Sequence, residues 1–157
     1  KSILERHPSK KVILLGHSFG GPVIARMAMD FPELIQGLVI VAGSVAPELE
    51  PEEWWRTPLD WAAIRWILPA SFRVCNQEIL PLKSELAAML PLWERITCPV
   101  IVYQGEADSL VPKGNADFVA RMLAHNPKVE LRIIADGDHF ILWSMKDEII
   151  ASLKMML

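Results

Sequence analysis

The ten residues VILLGHSFGG, at positions 12–21, decide the fold class of this chain. They begin with a continuous aliphatic run, which is typical of a parallel strand covered on both faces. Residues 22–31 then place apolar side chains at helical spacing, with a proline in the first turn. A strand that reverses this sharply into a helix exposes the residue at the tip of the turn, which here is Ser18. Flanking glycines let such a turn close without Cβ clashes.

Three further strands are predicted at residues 38–42, 99–103 and 129–134. The last of these alternates apolar and polar residues, which indicates a position nearer an edge of the sheet. Helical periodicity recurs at residues 114–123 and 147–156. Strands that alternate with helices at this spacing predict an α/β fold with a mostly parallel sheet of about four strands, flanked by helices. We interpret residues 1–157 as a single domain.

One long connection interrupts this alternation. Residues 46–94 contain no strand run, but they hold five of the six tryptophans and six of the twelve prolines. A connection of this length inside a compact domain is usually functional. We therefore predict a helical cap inserted after the second strand, with short helices near residues 59–68 and 82–89. The alternative is that these aromatic side chains only pack the insertion onto the body.

Composition excludes several classes of protein. With 52% hydrophobic and 22% charged residues the chain is predicted to be globular, and a net charge of −3 argues against nucleic acid as a partner. The uncharged apolar runs fall short of the ~18 residues that a membrane-spanning helix needs. Cys75 and Cys98 lie far apart, which predicts neither a disulfide framework nor a zinc site. We expect two buried thiols, and this cysteine usage favours a reducing, cytoplasmic compartment.

Polar side chains follow three of the predicted strands. Ser18 comes after the first strand, Asp108 after the third and His139 after the fourth. Functional loops of a parallel sheet lie beyond the carboxyl ends of its strands, so these three side chains are expected at one edge. A serine hydroxyl needs a base to become a nucleophile, and the base needs an acid to orient it. The chain order Ser, Asp, His fits that arrangement.

On these residues the sequence resembles the α/β-hydrolase family, specifically its lipase-like and esterase-like members with a helical cap. Three motifs carry the resemblance, GHSFGG at 16–21, GEAD followed by Val-Pro at 105–112, and GDHF at 137–140. The resemblance implies a carboxylic ester or related acyl compound as substrate, small and apolar, cleaved through an acyl-enzyme. It implies neither a metal nor an organic cofactor.

The resemblance also implies a role for each residue. Ser18 would be the nucleophile, His139 the base and later the acid, and Asp108 the residue that holds the imidazole. The backbone N–H of Phe19, which follows the nucleophile, would be one oxyanion donor. Glu106 competes with Asp108 for the acidic role. The neighbouring His17 is interpreted as structural, and Ser44 as a turn residue.

The same three side chains serve other activities. Acyl transfer and hydrolysis of a carbon–carbon bond in a diketone remain alternatives to ester hydrolysis. A different class of interpretation is a non-catalytic remnant or interaction module that keeps these residues by descent. Haloalkane dehalogenase and epoxide hydrolase chemistry is disfavoured, because those relatives place aspartate at the elbow where this chain has Ser18.

The resemblance implies a sheet of about eight strands, of which this chain supplies four that look like the C-terminal half. The loop that normally brings the second oxyanion donor would precede Ser18. Either the chain is a piece of a longer protein or its sheet is unusually small. Loss of one oxyanion donor costs about 10²–10³ in kcat, so the isolated chain is expected to be weakly active. The apolar strand at 11–15 is expected to pair with a missing N-terminal half or with another copy.

Overall fold

A computed structural model describes residues 11–51, 58, 61 and 69–157 of the chain. Four parallel strands form one sheet in the spatial order β1-β2-β3-β4. The strands are β1 (Val12–His17), β2 (Ile35–Val41), β3 (Val100–Gly105) and β4 (Val129–Ile134). The predicted α/β fold with a four-stranded parallel sheet is therefore confirmed, and β4 lies at an edge as its alternating pattern indicated.

Helices flank the sheet. The helix predicted at 22–31 is α1 (Gly20–Asp30), and the elements between β2 and β3 include α2 (Ala70–Ile79) and α3 (Leu82–Met89). The later helices are α4 (Gly114–Met122), α5 (Ile141–Ser144) and α6 (Lys146–Met155). The described part of the connection after β2 also contains two 3₁₀ segments, Pro47–Leu49 and Leu90–Arg95.

The predicted connection at 46–94 is described in part. Its second predicted helix, at 82–89, is confirmed as α3, whereas the first, at 59–68, lies outside the described residues. Trp93 is fully buried and meets Phe118 edge-on, with ring centroids 5.3 Å apart. That tryptophan therefore packs the connection onto the body. The assignment of the whole connection as a cap stays a prediction.

The alternation of side chains along β2 builds a core on each face of the sheet. Leu38 and Ile40 belong to the larger cluster, which α1, α3 and α4 cover. Val39 and Val41 point the other way, into a cluster that α5 and α6 cover. Successive strand residues face opposite sides, so a strand buried on both sides is apolar at every position.

Strand β1 lies at an edge of the described sheet, and Leu15 is 36% exposed. The expectation that this strand is covered on both faces is therefore wrong for the described residues, although its apolar composition suits such cover. Pairing of this edge with an N-terminal half or another copy stays a prediction. No helix in the described ranges combines the length and apolar character that a membrane crossing requires.

The prediction of two buried thiols is wrong for Cys75. This cysteine lies on α2 and is exposed, whereas the adjacent Asn76 is buried, because neighbouring positions on a helix face different directions. Cys98 is partly buried, and that burial raises the pKa of its thiol.

The register of the sheet brings the carboxyl ends of all four strands to one edge. His17 at the end of β1 lies opposite Val41, which lies opposite Tyr103, which in turn lies opposite Arg132. The loops that leave β1, β3 and β4 therefore start from neighbouring points, although more than a hundred residues separate the first from the last along the chain.

Candidate active site

The turn between β1 and α1 places Ser18 in a strained backbone conformation. Its φ is 53°, in the left-handed region that non-glycine residues rarely adopt. The Ser18 N–H donates to the carbonyl of Val41 at 3.0 Å, and the Ser18 carbonyl accepts from the Gly21 N–H at 2.9 Å. These bonds hold a conformation that costs about 1–3 kcal/mol. The predicted sharp strand-to-helix turn at Ser18 is confirmed.

Two glycines make this turn sterically possible. A Cβ on Gly16 would lie 2.3 Å from the carbonyl oxygen of Gly20, and one on Gly21 would lie 2.8 Å from the Cα of Gly43. Gly16 therefore lets the turn close, and Gly21 lets the helix approach the sheet. A Cβ on Gly20 would meet nothing within 4 Å. The expectation that glycine is needed on both flanks of Ser18 holds for Gly16 and not for Gly20.

His139 and Asp108 form a buried hydrogen-bonded pair. The Nδ1 of His139 donates to Asp108 Oδ2 at 2.9 Å, and the side chains are 9% and 0% exposed. The other carboxylate oxygen accepts the N–H groups of Leu110 and Val111 at 2.9 and 2.8 Å. A buried carboxylate is stable when its lone pairs are filled in this way. Because Nδ1 carries the proton in this bond, a neutral His139 has its Nε2 free to accept one.

Two other acidic residues of these loops make their hydrogen bonds to partners other than the His139 side chain. Glu106, the competitor named from the sequence, is exposed and pairs with Lys113 at 3.0 Å. Asp138 accepts the N–H of Phe140 at 2.8 Å, as a turn residue does. Of the two carboxylates that follow β3, Asp108 is therefore the one that reaches the histidine.

Ser18 and His139 line the same cavity, which encloses about 210 Å³ and is called the Ser18 cavity below. No hydrogen bond joins the side chains of these two described residues. Catalytic hydrogen bonds are often long in ligand-free structures and tighten when substrate binds. The remaining wall of the cavity is formed by Phe19, Ser44, Leu49, Glu50, Pro51, Ile79, Leu82, Leu110, Val111 and Pro112.

His17 contacts the loop that carries the predicted base. Its Nε2 donates to the backbone carbonyl of His139 at 2.9 Å, and the two imidazole rings lie 4.8 Å apart. Trp143 meets the His17 ring edge-on at 5.2 Å. His17 therefore ties the end of β1 directly to the loop after β4. The sequence indicated a structural role but held no signal for this partner, which lies 122 residues away.

Ser44 and Glu50 were not predicted as site residues. The Ser44 N–H donates to the Ser18 carbonyl at 3.3 Å, and its hydroxyl donates to the Glu50 carboxylate. Both residues line the Ser18 cavity. The sequence indicates a turn at Ser44 and gives no signal for Glu50, because neither residue belongs to a motif.

Two curated relatives match most of this chain. Serine hydrolase BPHL of Homo sapiens is 29% identical over 88% of this chain and 52% of its own length. The Mus musculus protein of the same name is 27% identical with the same coverage. This chain thus spans about half the length of the curated relatives it matches.

Solved structures share the fold at low sequence identity. A Paleococcus ferrophilus monoacylglycerol lipase superposes with a TM-score of 0.71 at 18% identity, covering 99% of this chain and 71% of that chain. Est816, described as an N-acyl homoserine lactone degrading enzyme, superposes with a TM-score of 0.66 at 19% identity, covering the same shares. The family model described as "Alpha/beta hydrolase family" matches residues 1–152. The chain therefore belongs to the alpha/beta hydrolase family.

Proposed function

We propose that this chain carries the catalytic residues of a serine hydrolase that cleaves carboxylic esters through an acyl-enzyme on Ser18. One observation carries the proposal. A serine held at a strained strand-to-helix turn shares a cavity with a histidine whose other nitrogen is bonded to a buried aspartate. Nucleophile, base and orienting acid in this order are the parts that acyl transfer to a serine requires.

The proposed reaction begins with proton transfer from the Ser18 hydroxyl to Nε2 of His139. The serine oxygen attacks the ester carbonyl carbon, and the carbonyl oxygen becomes an oxyanion. When the tetrahedral intermediate collapses, the carbon–oxygen bond to the alcohol breaks and His139 returns its proton to the leaving alcohol. A water molecule then attacks the acyl-enzyme with the same base, which releases the acid and restores Ser18. Asp108 stabilises the imidazolium in both halves.

The start of α1 supplies part of the oxyanion stabilisation in this proposal. Phe19 directly precedes α1, and its side chain lines the Ser18 cavity. The first N–H groups of a helix have no partner within the helix, and they lie at the positive end of its dipole. The Phe19 N–H is the proposed donor, in agreement with the sequence interpretation.

The apolar residues that line the cavity favour an ester substrate with an apolar part. Leu49, Ile79 and Leu82, which come from the connection between β2 and β3, line the cavity together with Leu110 and Val111 from the loop after β3. Closing such walls over a substrate excludes water and strengthens electrostatic interactions inside. This placement supports the predicted cap at 46–94 as the element that contacts substrate. The names of the relatives, a serine hydrolase and a monoacylglycerol lipase, support the same class of reaction.

Labelling with a fluorophosphonate probe tests the nucleophile. The chain, expressed with whatever coding sequence flanks it, should be labelled at Ser18, and Ser18→Ala should abolish labelling. Ser144→Ala is the matched control, because Ser144 is exposed at the end of α5 and does not line the Ser18 cavity. Labelling that persists in Ser18→Ala would overturn the assignment.

A panel of substrates distinguishes ester hydrolysis from the alternatives that use the same side chains. We expect Ser18-dependent release of acid from carboxylic esters to exceed turnover of thioesters and diketones. Transfer of the acyl group to an added alcohol in preference to water would instead indicate an acyltransferase. Short p-nitrophenyl esters alone do not decide between these activities, since they report any activated serine.

A further inference from the structure

Glu50 brings a negative charge into the Ser18 cavity. Of the described residues that line this cavity, Glu50 alone has a carboxylate side chain. None of the other described lining residues is a lysine or an arginine. Most of the remaining wall is apolar. This carboxylate has no role in the proposed ester hydrolysis, and it belongs to no motif of the sequence.

Hydrogen bonds fix the segment that carries Glu50. The Oδ1 of Asn115, a buried residue, accepts the N–H groups of Val45 and Ala46 at 2.8 and 2.9 Å. Ser44 donates its hydroxyl to the Glu50 carboxylate and its N–H to the Ser18 carbonyl. One residue thus connects Glu50 to the nucleophile turn. A carboxylate offers about four lone-pair directions, so the serine leaves capacity for a ligand.

The neighbouring Glu48 is a useful contrast. It is exposed and pairs with Arg121 on the surface, and it does not line the cavity. The two glutamates lie two positions apart, yet one charge is balanced by a surface cation while the other faces the Ser18 cavity. The side chains of Glu48 and Glu50 are chemically identical, so the residues that surround each of them account for this difference.

A carboxylate at this place has a consequence for the proposed reaction. Attack by Ser18 creates an oxyanion, and a second negative charge in the same cavity opposes it. A positive group on the substrate would remove that opposition and would also be attracted to Glu50 before reaction. The apolar walls suit the methyl groups of a substituted ammonium ion.

We infer that Glu50 forms a cation subsite and that the preferred esters carry a substituted ammonium group in their acyl or alcohol part. The inference rests on the proposed ester hydrolysis and names its substrate class. Ser44 orients the carboxylate, and Glu50 binds the cation while Ser18 reacts at the carbonyl.

Pairs of substrates that differ in charge alone provide the test. One pair is the p-nitrophenyl esters of an acid that ends in a trimethylammonium group and of the same acid that ends in tert-butyl. The second pair places these groups on the alcohol. We expect the wild-type protein to prefer the cationic member of at least one pair by about tenfold in kcat/KM, as charge complementarity in a partly buried site provides.

Two matched variants separate the charge from the fold. Glu50→Gln keeps an oxygen that can accept from Ser44 but loses the charge, so it should abolish the preference for the cationic ester, measured as the ratio of the two kcat/KM values within each pair. Glu48→Gln removes the same charge from the surface and should leave the preference unchanged. Equal preference in wild type and Glu50→Gln, or no preference in either pair, would overturn the inference.

Binding of the intact esters to Ser18→Ala protein, with and without Glu50→Gln, makes the test independent of catalysis. Charge-dependent binding that requires Glu50, without any Ser18-dependent hydrolysis, would overturn the proposed function and leave the cation subsite supported. Ser18-dependent hydrolysis with charge-independent binding would overturn the subsite and leave the proposed function supported.

Discussion

Replacing Gly16 by alanine would place a methyl group inside the turn that carries Ser18. The new Cβ would lie 2.3 Å from the carbonyl oxygen and 2.6 Å from the carbonyl carbon of Gly20. Both obstructing atoms belong to the backbone, so no side-chain rotation relieves the clash. The turn must open, and the start of α1 must move away from the end of β1.

The expected loss of stability follows from this geometry. Overpacking costs about 1–3 kcal/mol when side chains can adjust, and a backbone obstruction places Gly16→Ala near the upper end, at about 3 kcal/mol. For a chain of 157 residues, each kcal/mol lowers the melting temperature by about 2–4 °C, so we expect a decrease of about 6–12 °C.

Gly20→Ala is the matched control for this experiment. It adds the same methyl group four residues away, at a position where a Cβ meets nothing within 4 Å and where φ is not positive. Alanine is favoured over glycine in a helix and restricts the unfolded chain, so we expect stability to be unchanged or increased by about 0.5 kcal/mol.

Calorimetric melting and the rate of fluorophosphonate labelling are the two measurements. Gly16→Ala should melt earlier and label more slowly, because Ser18 moves with the turn. A Gly16→Ala protein that melts and labels like wild type would refute the reasoning, as would a Gly20→Ala protein that loses as much stability as Gly16→Ala.

Three other predictions concern His17, Asp108 and Cys98. His17→Phe keeps an aromatic ring but loses the N–H that donates to the His139 carbonyl. We expect kcat for ester hydrolysis to fall about tenfold to hundredfold with little change in KM, because small displacements of a catalytic group such as His139 reduce the rate by this much. His17→Gln, which restores a donor, should recover most of that loss; equal kcat values in the two variants would contradict a positioning role. Asp108→Asn should lower kcat by about 10⁴ with the fold retained, because the amide no longer selects the productive tautomer of His139, and a small kcat change in a folded protein would contradict it. In a Cys75→Ser background, reaction of Cys98 with a disulfide reagent should require higher pH than an ordinary thiol, since burial raises the pKa of Cys98; an ordinary pH profile would count against this.

Local signals explain why so much of the fold could be predicted. A short apolar run predicts each strand. Residues 12–21 combine a strand, a turn and the start of a helix within ten residues. Asp108 and His139 could also be predicted from local signals, because each lies in the loop that follows a strand. In a parallel sheet those ends meet at one edge whatever the length of the intervening chain.

Other features depend on neighbours that are distant in sequence. Nothing around position 17 indicates a bond to a carbonyl at position 139, and nothing around Glu50 indicates a wall shared with Ser18. The burial of Cys75 was predicted wrongly, because a thiol is apolar enough for either environment and the face of α2 decides. The sequence also could not predict the open space beside Gly20, because whether a Cβ fits there depends on the atoms that pack against that position in the folded chain.

Interactions among residues close together in the chain determine the class of the fold, the turn at Ser18 and the candidates that follow the strands, so all three could be predicted from the amino-acid sequence. The tertiary structure decided which carboxylate bonds to His139, that β1 is an edge strand of the described sheet, and that Glu50 shares the cavity of the nucleophile. Those outcomes depend on strand register and on the packing of loops from different strand ends, and such contacts form only after the chain has folded.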